Sequence, residues 1–519
     1  MRRGFSLLAM IAVLAQGPAS AVPPEAARGD SQQGLCRKPA ALPVLGAEQA
    51  RQQEQSNSRG RSDEYYPSAP PPPPMMAPPP VPEPMGSVSE ADGSADVVVT
   101  ARRVDSPRME APVAVTAIDS SAAKDSASSS SVPEDATRSM PYPPPPRPHP
   151  RPRPQAGQLT AGEHDDLLNP ELYADYVRKS DLAQQIPDLP RLDTSRVLTV
   201  AVKDRAGRPV PFAPVDLACA DGSSLRLTTM ADGTVAFFPN MDRLGSKVRV
   251  RAGGEDWRDV TIASGQGGQQ VSFTVGQQAQ AVRKLDLMLV IDTTGSMGDE
   301  ISYLQSELRS IVGAIQARHP GLDLRVGFVF YRDVGDDYVT STYALSSDVG
   351  AGQRALSNQS AGGGGDYPEA MEQALIRAAG QSWRPDAVKS LLLVADAPPH
   401  DENFDVAWRA TEHLRASRVH IVPVAASGVA DKAEYAMRAM AAATQSRYTF
   451  LTDDSGIGNP HAAPAIDCYL VTKLDALLRG VIDSQLSGRR VEPGEQEVIR
   501  AVGQYDKGKC IIPPEMRFQ

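Results

Sequence analysis

Residues 285–297 read Leu-Asp-Leu-Met-Leu-Val-Ile-Asp-Thr-Thr-Gly-Ser-Met, an apolar run without clear alternation that ends in a carboxylate and hydroxyl residues. A strand of that kind is buried on both faces, a condition met inside a parallel sheet covered by helices. The following residues agree with this. Ile301, Leu304, Leu308, Ile311, Val312 and Ile315 recur at helical spacing, which gives an amphipathic helix with one core-facing stripe. Asp299 and Glu300 fall at its first turn, where the helix dipole favours negative charge. The chain thus leaves a buried strand at Asp292 and enters a helix. In open α/β sheets, ligands bind at such carboxyl ends of strands.

Asp292 offers hard anionic oxygen, and Thr294 and Ser296 offer neutral oxygens that leave the charge of a divalent cation largely uncancelled. An ion held this way accepts one more carboxylate from outside. Asp292 also reads as a cap for the helix that follows, a common role for aspartate. The Asp-x-Thr-Gly-Ser-Met string resembles the metal-ion-dependent adhesion site of von Willebrand factor type A domains. That resemblance implies a divalent cation, Mg2+ first and Ca2+ or Mn2+ as alternatives, and a protein partner with an exposed Asp or Glu. In that family a threonine stands in a glycine-rich loop and an aspartate ends the fourth strand. Here Asp396, after Leu392-Leu393-Val394-Ala395, matches the aspartate, while Asp366, after Gly362–Gly365, stands about where the threonine would. An extra carboxylate would hold the cation more tightly and lower its appetite for an anionic ligand. The run Tyr448–Asn459 looks like bacterial members of the family. Arg332 and Asp333 read as a local ion pair, and His400 and His461 as loop residues.

The spacing predicts strands over Leu285–Thr293, Leu324–Tyr331, Ser390–Asp396, Ile421–Ala425 and Tyr448–Leu451, with an antiparallel edge over Thr340–Leu345. Helices over Ile301–Arg318, Pro368–Ala379, Val406–Arg415, Lys432–Ala443 and Leu470–Gln485 alternate with them. The fold class is therefore α/β, a doubly wound and mainly parallel sheet over 284–488, with a tail over 489–519. Before it, residues 195–276 hold seven short runs separated by turns such as Asp221-Gly222 and Ala231-Asp232-Gly233. These predict a small all-β sandwich, similar in wording to carboxypeptidase regulatory-like and immunoglobulin-like accessory domains.

Residues 1–21 read as an export signal: Arg2 and Arg3, an apolar stretch, then Ala19-Ser20-Ala21. No later run is apolar enough to span a membrane. The expected location is the periplasm or the extracellular side of the envelope. Residues 22–190 are rich in Pro, Ser and Ala, a composition that predicts an extended, disordered region. Within it, Asp96–Arg103, with Val97, Val98, Val99 and Thr100 at its centre, looks like the box of TonB-dependent receptors that pairs with TonB. A β-branched run of this kind can add to a partner's sheet edge. The barrel of such receptors is absent from the pattern. The four cysteines, Cys36, Cys219, Cys468 and Cys510, allow three pairings, and an exported chain favours disulfides. Cys468 with Cys510 is the preferred pair, since both lie near the carboxyl terminus.

A net charge of −10 argues against nucleic acid as a partner. Asp-x-Thr-Gly also resembles phosphotransferases with an aspartyl nucleophile, but the lysine and later acidic pair they need have no counterpart. Nucleotide-loop, serine-elbow and zinc-protease motifs are missing too. The sequence reads as an exported, non-enzymatic, metal-dependent binding protein. The alternative is an envelope scaffold, or a TonB-interacting protein, in which the metal is only structural.

Overall fold

The computed structural model describes residues 36–44, 154–186, 189–263 and 268–511. The segments expected to be an export signal and a TonB-pairing box, with most of the proline-rich region, lie outside the described residues.

A nine-stranded sheet organises the larger part. Its strands are β1 (Thr160–His164), β9 (Lys284–Asp292), β10 (Asp323–Tyr331), β11 (Thr340–Ser346), β12 (Val388–Ala395), β13 (Val419–Ala425), β14 (Tyr448–Thr452), β15 (Tyr469–Lys473) and β16 (Arg500–Val502). The order across the sheet is β11-β10-β9-β12-β13-β14-β1-β15-β16. Strands β10, β9, β12, β13 and β14 run parallel, and β11 is an antiparallel edge. The helices are α1 (Pro170–Lys179), α2 (Leu182–Gln185), α3 (Ile301–Arg318), α4 (Val349–Ser357), α5 (Met371–Ala379), α6 (Phe404–Ala416), α7 (Asp431–Ala443) and α8 (Leu474–Ser487).

Strand β9 shows why its sequence lacks alternation. Leu285, Leu287, Leu289 and Ile291 pack on α3 and α8, while Met288 and Val290 face the core built with α5, α6 and α7. Asp286 sits on the same strand without exposure, held by Arg325 and Arg384. Pairing of that kind is what a buried carboxylate requires.

Residues 195–276 fold as two sheets, β5-β2-β8 and β4-β3-β6-β7, formed by Leu198–Asp204 (β2), Pro214–Ala218 (β3), Ser224–Thr228 (β4), Thr234–Phe237 (β5), Lys247–Ala252 (β6), Arg258–Thr261 (β7) and Gln269–Val275 (β8). Their inward side chains, among them Val200, Leu217, Val250 and Phe273, share one core. The buried pair Asp242–Arg415, with both contacts at or below 2.9 Å, joins this sandwich to α6.

Three expectations are corrected. The disordered region does not run to residue 190, because Thr160–His164 enters the sheet between β14 and β15, antiparallel to both. Gly162 admits this: a Cβ there would stand 2.5 Å from Phe450 Cζ. Residues 36–44 are also built in, through the Cys36–Cys219 disulfide and the Arg37–Glu412 ion pair. The last helix begins at Leu474, since Tyr469–Lys473 is a strand, and the helix after the glycine-rich loop begins at Met371. Cys468 pairs with Cys510, as the sequence reading preferred.

The incoming β1 is anchored by one side chain of α3. The Glu307 carboxylate accepts from the backbone N–H groups of Gly157, Gln158 and Leu159 at 2.8–3.1 Å. Glu307→Ala leaves those donors without their acceptor and is expected to cost about 1–3 kcal/mol, read as a lower urea midpoint at unchanged slope.

Candidate functional site

The site lies where β9, β10 and β12 end. Asp292 is fully buried at the last position of β9. Its Oδ1 accepts from Thr294 N at 2.9 Å and from Thr294 Oγ1 at 2.6 Å. Thr294 Oγ1 stands 3.1 Å from Ser296 Oγ, so the three residues named from the sequence form one string of oxygens. Asp292 Oδ2 is buried and meets no partner at full hydrogen-bond geometry among the described residues, although the Tyr331 hydroxyl stands close enough to the carboxylate to lower its pKa. Such an atom is costly unless something else satisfies it.

The glycine-rich loop closes over this string. Gly295 N donates to Gly363 O, and Gly362 N to Thr293 O, each at 3.0 Å. Gly363 and Gly364 have φ of +78° and +72°, and a Cβ on Gly363 would collide with the Asp336 carboxylate. Asp336 Oδ2 in turn accepts from Gly364 N and Asp333 N. Positive φ and close approach both call for glycine here.

Asp396 follows β12 and is buried. Burial pushes the Asp292 carboxyl up to about 7, with the Asp396 charge adding to it against the Thr294 hydrogen bonds. The buried Tyr331 hydroxyl is raised well above its ordinary range, by desolvation first and then by the charges of Asp292, Asp396 and Glu369. Those carboxyl groups therefore crowd one spot.

Glu369 is the residue that sequence reasoning missed. It is buried, and its Oε2 lacks a hydrogen-bond partner among the described residues. Its backbone is clipped to the Asp396 loop, with Glu369 N donating to Pro398 O at 3.0 Å. Its Oε1 lies beside Gly364, where a Cβ would come within 2.8 Å of it and 3.3 Å of Thr294 Cβ. Burial, then Asp292, Asp333, Asp396 and Asp336, push its carboxyl up to about 9. Asp366, singled out from the sequence, stands exposed on the same loop. The sequence signal for Glu369 was only a Pro-Glu-Ala helix start.

Arg332 and Asp333 do not pair with each other. Arg332 reaches Ser360 O, Asp337 and the Tyr338 ring, while Asp333 Oδ1 meets His400 Nε2 at 2.8 Å. His461 bridges Glu300 and Asp453 at 2.7 and 2.8 Å.

The donor chemistry fits a hard divalent cation. Two buried carboxylate oxygens, from Asp292 and Glu369, want a partner, and the Thr294 and Ser296 hydroxyls stand next to them. Among the described residues no group of three or more His, Cys, Asp or Glu could hold a metal ion unaided. The hydroxyl donors are therefore essential to any such site.

Residues 286–459 match the family described as von Willebrand factor A domain, and this part of the chain is such a domain. Two curated proteins are similar over a part of the chain. Alpha-protein kinase vwkA of Dictyostelium discoideum is 31% identical over 123 residues, 23% of this chain and 19% of that protein. A putative ariadne-like RING finger protein, R811, of Acanthamoeba polyphaga mimivirus is 33% identical over 122 residues, 23% of this chain and 12% of that protein. The chain thus spans less than a fifth of the length of these relatives. Among solved structures, the conserved hypothetical protein BatB from Bacteroides thetaiotaomicron is 11% identical, with a TM-score of 0.27, and 39% of this chain covers 98% of that one.

Proposed function

We propose that this chain is an exported, non-enzymatic protein-binding module whose von Willebrand factor A domain holds a divalent cation and captures an acidic side chain of a partner protein. The observation that carries the reading is the buried, unpartnered Asp292 Oδ2 beside the Thr294 and Ser296 hydroxyls. Asp292, Thr294, Ser296 and Glu369 would hold the ion, with Asp396 directly or through water and Asp366 at the mouth. Mg2+ is the first choice, with Ca2+ and Mn2+ as alternatives. The bound ion supplies a Lewis-acidic position for one outside carboxylate. Two disulfides suit an oxidising compartment, and no described helix is long and apolar enough to cross a membrane. A contact of the Val97–Thr100 segment with TonB remains a further proposal.

A second reading is favoured by Glu369. Its buried carboxylate could complete the coordination, so that the metal only braces the loops. Glu369→Gln should lower cation affinity roughly tenfold under either reading. A chelator discriminates between the two. Under capture it abolishes partner retention, and under bracing it leaves retention unchanged.

The cation-free site also sets a pH trend. Asp292 and Glu369 bind protons more tightly folded than unfolded, with folded values of about 7 and about 9 against roughly 4 unfolded. The folded state therefore holds more protons, and these two groups lower stability as pH rises from roughly 4 through those values. The melting temperature without cation is expected to fall between about pH 4 and 9, most steeply below about pH 7 where both groups contribute, and saturating Mg2+ should flatten the slope. An identical slope with and without Mg2+ would count against the site.

A further inference from the structure

We infer that the partner's acidic residue is presented on a basic, Lys/Arg-rich segment, because the rim of the site is itself acidic. This rests on the capture reading above and adds the partner's surrounding charge. The loops at the site end of the sheet are 293–300, 332–339, 358–370, 396–403, 426–431 and 453–461. They carry thirteen Asp and Glu residues against one arginine, Arg332, and no lysine of their own, and two of the thirteen, Asp401 and Asp454, are paired with Lys432 and Arg500 from adjoining elements. The whole chain has 63 acidic and 53 basic residues, so the excess is concentrated here. Arg332 is nearly buried, with its guanidinium on Ser360 O and over the Tyr338 ring, so it offers little to a ligand. Asp337, Glu402 and Asp431 are exposed on three different loops, and Glu402 and Asp431 form no ion pair among the described residues. At the centre stand the buried, unpartnered oxygens of Asp292 and Glu369, which make the cluster more than a solvated acidic face.

A divalent ion held among the Asp292, Glu369 and Asp396 carboxylates leaves no net positive charge at the centre, so the field reaching solvent is that of the rim. A partner approaching through a bare acidic patch meets like charge, which suppresses association. A single Asp flanked by lysines places its carboxylate on the metal and its cations on the rim. Steering of this kind weakens with ionic strength.

The test uses the full chain at saturating Mg2+ and fluorescence anisotropy with three labelled heptapeptides. Their sequences are Lys-Lys-Gly-Asp-Gly-Lys-Lys, Ser-Ser-Gly-Asp-Gly-Ser-Ser and Lys-Lys-Gly-Asn-Gly-Lys-Lys. The lysine–aspartate peptide should bind about tenfold tighter than the serine peptide, and the advantage should shrink with added salt. The triple variant Asp337→Asn/Glu402→Gln/Asp431→Asn should remove most of that advantage while leaving Mg2+ affinity and melting temperature unchanged. Equal binding of the two aspartate peptides overturns this inference and leaves the capture reading standing. Binding of the asparagine peptide as tight as that of its aspartate twin overturns capture itself. Absence of binding by either aspartate peptide, with Mg2+ still bound, overturns both.

Discussion

Asp292→Ala is expected to weaken Mg2+ or Mn2+ binding by at least about a hundredfold, or about 2.8 kcal/mol, without unfolding the protein. The substitution removes the anionic ligand at the end of β9 and the one carboxylate that holds the Thr294 hydroxyl in place. It also removes a buried oxygen that meets no partner at full hydrogen-bond geometry among the described residues. Stability measured in a chelator should therefore stay within about 1 kcal/mol of the parent or rise. Two effects of opposite direction from one substitution are hard to mimic by general damage. A variant that loses stability in chelator as much as it loses cation affinity would point to a structural Asp292. Isothermal titration and urea unfolding, run side by side, provide both numbers.

Arg438→Ala is expected to have the largest effect on stability, about 3–5 kcal/mol. Arg438 is almost fully buried on α7 and joins Asp166 at 2.8 Å to Glu434 at 3.1 Å, with its guanidinium over the Tyr176 ring. Burial opposes its charge, but Asp166 and Glu434 outweigh burial and raise its pKa. Removing it leaves two buried carboxylates without their cation. Asp166 lies just after β1, so the loss should loosen the amino-terminal strand first. Hydrogen exchange of Thr160–His164 is expected to accelerate more than that of β9. Uniform acceleration across the sheet would show that β1 is not a separately anchored element.

These two positions differ in how far the sequence disclosed them. The strand ending at Asp292 was legible because its apolar run and the helical stripe from Ile301 to Ile315 are local patterns, read within thirty residues. Asp396 was legible for the same reason, as the end of another uninterrupted apolar strand. Glu369 was not, since its inward turn depends on the hydrogen bond from its N–H to Pro398 O, a contact between distant loops. Asp366, three residues earlier, carried the same chemistry in sequence and stands exposed. Strand β1 was illegible for a related reason. Thr-Ala-Gly-Glu-His is short and polar, and it sits beside a proline-rich tract. The carboxylates in and just after it are held by distant arginines: Glu163 by Arg447 and Arg490, Asp166 by Arg438. Glu163 illustrates the balance, because burial raises its carboxyl and the two arginines more than reverse that. Composition signals an inability to form a local core. It says nothing about a strand received by a sheet that others have built.

The most direct measurement is a calorimetric titration of the chelated full chain with Mg2+, Mn2+ and Ca2+, followed by the same titration of Asp292→Ala. The account predicts one site per chain, with a dissociation constant below about 1 mM for at least one of these ions, abolished in the variant. Absence of binding by all three ions, or equal binding to parent and variant, would contradict it.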